Sequence, residues 1–219
     1  MPSPKERLCH LLELAAQGPS ERAALAGEVA DLLLDWPAQY PQPMRGTFSA
    51  LLEKIVREME PTAALAARFE GRDDFPLGLL GEFFLCGSPA MKDAILARHD
   101  AEGETAAAAM DGEALLAAAR GDRDFAGAVA RIAGIPQAIA AAILADESGR
   151  ALAALCKGGG IARASFSAMA ILAGPTRSVH ENFAMLAVFD RVPDNGARRL
   201  LTAWRARCEP PLRETAHAA

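Results

Sequence analysis

Apolar residues return at the spacing of an α-helix along almost the whole chain, and prolines, glycines and capping residues cut that pattern into short pieces. Phe48, Leu51, Leu52, Ile55, Val56 and Met59 fall at i, i+3, i+4, i+7 and beyond, the stripe of one helix face. Leu25, Val29, Leu32 and Leu33 repeat the pattern, while Glu21, Glu28, Asp31 and Asp35 fall largely off that face. Composition points the same way. The chain is 51% hydrophobic but only 5% aromatic. Alanine and leucine supply the difference, and both lose little side-chain freedom in a helix. β-Branched residues are sparse, so strand propensity is low. The expected fold class is all-α.

The breaks predict the helix ends. Ser20 caps a helix reaching Asp35, and the prolines of "WPAQYPQP" then stop helical structure. A second helix covers the stripe to Met59, and an apolar stretch follows over 77–85. Ser88 before Pro89 reads as N-cap and first helical position, opening a helix to about Arg98. Asp111, Asp122 and Asp146 are expected to cap helices reaching Arg120, Ala133 and Lys157. Gly134 closes one helix and Pro136 opens the next, to Leu144. Further helices are expected over 163–172, 178–189 and 193–207, with Ser178 and Glu181 as a capping box. Short helices, each apolar on one side, need neighbours to cover them. An irregular HEAT-like α-solenoid meets that need, with a compact helical bundle as the competing layout. The expected division is an N-terminal helical segment at 1–75, a repeat region at 76–208 and a frayed tail at 209–219. The boundary falls in the Pro/Asp/Gly-rich stretch from Glu70 to Pro76.

A chain of 219 residues with net charge −5 buries a core without staples, and its acidity disfavours nucleic-acid binding. Cys9, Cys86, Cys156 and Cys208 are scattered without a CxxC pair. Reduced, mostly buried thiols are expected. Charges interrupt the N-terminus where a signal peptide needs its apolar region, and no run reaches the ~18 apolar residues of a membrane span. These features point to a cytoplasmic protein.

"CKGGGIA", Cys156 to Ala162, invites a phosphate-loop reading. A P-loop places its lysine after the glycines and a strand before them. Here the lysine comes first and a helix precedes. Three helical glycines would cost roughly 3 kcal/mol relative to alanine, so the helix from Asp146 should end near Lys157. One glycine then takes the left-handed conformation, and Lys157 meets the negative helix end. The alternative is an anion held by the next helix N-terminus with Arg163.

The same region carries a resemblance. Asp146, Gly149, Ala151, Leu152, Ala153, Lys157, Ile161, Arg163 and Phe166 are similar to a signature of the bacterial family called domain of unknown function 2336. Phe189, Asp190, Ala197, Arg198, Trp204 and Arg205 resemble a second one. Together they cover about the last third of the chain. At the turn, three glycines replace the family's Ala-Leu-Gly. The resemblance implies an all-α, HEAT-like fold and no established activity.

No catalytic set emerges. His10 with Glu13, and Glu214 with His217, have the spacing of a di-iron Glu-x-x-His motif, but surface helix positions explain both. Neither a metal nor a cofactor is expected. Val129 to Leu144 resembles a helix-turn-helix, yet its second helix offers Gln137 and alanines rather than cations. Arg191, Arg198, Arg199, Arg205 and Arg207 make a basic end, either paired within the fold or docking an acidic partner. Trp36 and Tyr40 either pack over the core or form a contact loop. The resulting expectation is a non-enzymatic helical-repeat protein that binds an unidentified protein partner, and neither nucleic acid nor membrane. Lys157, Arg163, Arg198, Arg199, Trp204 and Arg205 are its candidate partner or anion contacts. A small-ligand or anion sensor with a pocket near Lys157 and Arg163 is the alternative.

Overall fold

The structure, a computed structural model, describes residues 19–59, 62–72, 76–101, 105, 109–121, 124–172 and 179–208. Among these residues are twelve α-helices, one 3-10 turn at Leu77–Leu79 and no strand, so the fold is all-α. The helices are α1 (Pro19–Leu34), α2 (Gln42–Glu58), α3 (Ala63–Ala67), α4 (Leu80–Cys86), α5 (Pro89–Ala101) and α6 (Gly112–Gly121). They continue with α7 (Phe125–Ala133), α8 (Gln137–Ala145), α9 (Arg150–Gly158), α10 (Arg163–Leu172), α11 (Val179–Arg191) and α12 (Asp194–Ala206).

Some helix starts follow side-chain chemistry, whereas Pro41, Leu79, Pro136, Gly149 and Pro193 precede their helices without a side-chain cap, and α1 already includes Pro19, so the expected cap Ser20 lies inside it. The Ser88 hydroxyl accepts the Met91 N–H at 3.2 Å, at the head of α5. The Asp111 carboxylate accepts from Glu113 N and Ala114 N at 3.1 and 2.9 Å, at the head of α6. The expected Asp122 cap lies outside the described residues. Asp124 caps α7, accepting the Gly127 N–H at 2.9 Å. The Ser178 and Glu181 capping box also lies outside the described side chains, as do Cys9, His10, Glu13, Glu214 and His217. Gly134 is left-handed at φ 68° and ends α7 as expected.

The chain divides into two compact units between Met91 and Lys92, inside α5. The boundary expected near Pro76 therefore falls within the first unit. The reason is packing across it. Phe69, just beyond α3, lies against Phe83 of α4 with ring centroids 5.3 Å apart, and the Ser88 hydroxyl hydrogen-bonds the Glu70 carboxylate.

In the first unit, α1 packs against α2. Leu25, Val29, Leu32 and Leu33 are buried with Phe48, Leu52, Ile55 and Val56, while Leu51 and Met59 of the expected second stripe are only half-buried, Met59 lying just beyond α2. Trp36 meets Tyr40 and Phe48 edge-on at 5.6 and 5.9 Å. The aromatic loop thus packs back on α2.

The second unit is organised around α9. Its residues Ala151 to Cys156 and Gly158 are all buried, as expected of a helix covered on every side. It packs most extensively on α12 and also meets α8, α10 and α11, while α6 packs on α10. Complete burial of Leu155 and Leu200 contributes about 1.5–3 kcal/mol each. The α7–α8 pair bends by 118°, and no single described helix is long and apolar enough to cross a membrane.

Candidate functional site

The triple-glycine corner gives each glycine a different task. At Gly158 an added Cβ would lie 2.5 Å from the Ala197 carbonyl oxygen, so α9 and α12 cross there without a side chain between them. At Gly159 it would run into the Met110 side chain. Gly160 is left-handed, φ 71°, with open space around it. Gly160 N donates to Lys157 O at 3.1 Å and Ile161 N to Cys156 O at 2.8 Å. This paired pattern closes a helix through a glycine in the left-handed region. The helix runs one residue beyond Lys157, and the turn reading of the glycines holds.

Lys157 turns away from the glycines. Its ammonium donates to Val192 O at 2.5 Å and pairs with Asp194 at 3.2 Å. It also lies over the Phe189 ring, 5.4 Å from the centroid. It therefore ties the end of α11 to the start of α12. Arg163 forms a two-pronged ion pair with Asp190 at 2.8 and 3.1 Å, and Phe166 stacks on Phe189 at 4.9 Å. The two stretches singled out in the sequence thus meet in one corner. Both candidate anion-binding cations there are already matched to carboxylates of the chain itself.

The candidates on α12 do not converge. Trp204 is buried. Arg205 Nε donates to Ala133 O, the last carbonyl of α7, at 2.6 Å. Arg198 Nη1 donates to Thr105 O at 3.2 Å. Arg199 is half-buried on the same helix. The first unit uses its cations similarly: Arg45 and Arg72 donate to Leu33 O and Leu34 O, at the end of α1. Cations satisfy the carbonyls left over at helix C-termini and meet the negative dipole end there. For Arg205, pairing within the fold accounts for the guanidinium.

One charged cluster was invisible in the sequence. Lys92 Nζ donates to Asp146 Oδ1 at 2.7 Å, with the two side chains only 6% and 5% exposed. Asp146 also accepts from the Ser148 hydroxyl at 2.7 Å and from Ala151 N at 2.8 Å. Burial would raise the Asp146 carboxyl, but the Lys92 hydrogen bond, the Ala151 N–H and Ser148 outweigh it and hold the group below its ordinary value. Gly149, left-handed at φ 70°, completes the turn, with Met185 3.0 Å from where a Cβ would stand. Beside it Arg150 grips Asp93 at 2.7 and 2.9 Å, which raises the guanidinium further. Chemically this is a clip. The Ser148 hydroxyl points at a carboxylate rather than at an amine base, and a paired lysine ammonium is no base.

Cys156 is buried, and burial pushes its thiol up to about 12, which leaves it inert. Cys86 is half-buried, and Cys208 is exposed rather than buried, because it lies beyond the last turn of α12. Among the described residues no group of His, Cys, Asp and Glu is placed to hold a metal ion.

The surface carries a different feature. Ile171 and Leu172, in the last turn of α10, are 57% and 48% exposed, and Phe183, near the start of α11, is 68% exposed. The two helices pack together; Ile171 and Leu172 lie in the last turn of α10 and Phe183 is the fifth residue of α11. Met185 and Phe189 are buried on α11. Phe183 is roughly 200° round the helix from Met185 and so faces outward. Ala164 is exposed and Ala168 half-exposed at helical spacing before Ile171. Sequence periodicity missed this surface because both helices are apolar on more than one side.

No family model, no curated protein and no solved structure matches this chain.

Proposed function

We propose that this chain is a non-catalytic helical module that binds another protein, through the apolar surface of Ile171, Leu172 and Phe183. One observation carries the reading. Most large apolar side chains among the described residues are covered; of the four that stand exposed, one is Met44 of α2 and the other three, Ile171, Leu172 and Phe183, belong to the consecutive helices α10 and α11. Exposed apolar side chains that cluster mark binding sites, and aromatic anchors dominate their energetics. The basic residues of α12 are not the docking surface in this reading, since Arg198 and Arg205 hold backbone carbonyls of the unit itself. Nor does an anion-sensor reading gain support at Lys157 and Arg163, whose charges meet Asp194 and Asp190.

The test is affinity purification from the native cell with the full chain and with an Ile171→Asp/Phe183→Asp variant. Circular dichroism establishes that the variant keeps its helix content. Loss of a stoichiometric co-purifying protein supports the reading. A partner retained equally by both chains overturns the assignment of this surface.

A further inference from the structure

We draw no further inference here: the strongest candidate, the exposed apolar patch of Ile171, Leu172 and Phe183 on the consecutive helices α10 and α11, is already the surface on which the proposed function rests, and nothing in the structure shows what covers it.

Discussion

Lys92 and Asp146, 54 residues apart in the chain, meet at 2.7 Å with both side chains almost wholly buried. The pair joins α5 to the turn between α8 and α9. The same carboxylate receives Ser148 and the Ala151 N–H, so one acid organises the entry to the central helix.

Removing one partner strands a charge. Lys92→Met should destabilise the second unit by about 3–5 kcal/mol, because the carboxylate stays buried without its cation. Urea denaturation measures it. Lys92→Met/Asp146→Leu should recover only part of the loss, since Ser148 and Ala151 N also lose their acceptor. Full recovery would mean that those two hydrogen bonds contribute nothing.

The same carboxyl sets an acid limit. Its folded value is held below the ordinary 3.8, so its contribution is fully present above the unfolded value. It is lost as pH falls from there through the folded one. The wild type should lose thermal midpoint more steeply below about pH 4 than Asp146→Asn, which carries no titrating group there. Parallel midpoint-against-pH curves for the two chains would contradict this.

Glycine-to-alanine exchanges should rank by position. Gly158→Ala forces a methyl against the Ala197 backbone and should cost about 1–3 kcal/mol or more. Gly160→Ala meets open space but at φ 71°, costing about 1–2 kcal/mol. Gly46→Ala, inside α2 with nothing within 4 Å, should stabilise by about 0.4–1 kcal/mol. Chemical denaturation of the three variants checks the order.

Thiol labelling should separate the cysteines. With its thiol pushed up to about 12 and no exposure, Cys156 should resist iodoacetamide at pH 8 until the chain unfolds. Exposed Cys208 should label in the native state. Mass spectrometry of digested, labelled protein reads both sites.

Phosphate and nucleotides should leave the thermal midpoint unchanged at millimolar concentration, because Lys157 and Arg163 are already matched by Asp194 and Asp190. A rise that grows with ligand concentration and vanishes in Lys157→Met would restore the anion-binding reading.

Local signals were legible where partners lie within a few residues. Ser88, Asp111, Gly134 and Gly160 close or open their helices as their residue types dictate. The α7 start was blurred because Asp122 and Asp124 are both of a residue type that caps helices, and it is the Asp124 side chain that caps α7. Breaker residues such as those near Pro76 show where a helix stops, not whether Phe69 will find Phe83 beyond the break.

The sequence alone determined the helical class, most of the helix breaks and the reason a glycine follows Lys157, since backbone geometry and capping act over a turn or two. Tertiary structure alone decided that α9 would be the covered helix. It also set Lys92 against Asp146, drew Arg205 to the end of α7 and left Phe183 uncovered. Those outcomes depend on which surfaces meet across tens of residues, and apolar burial is non-directional: a stripe of alanine and leucine specifies that it must be covered without specifying by what.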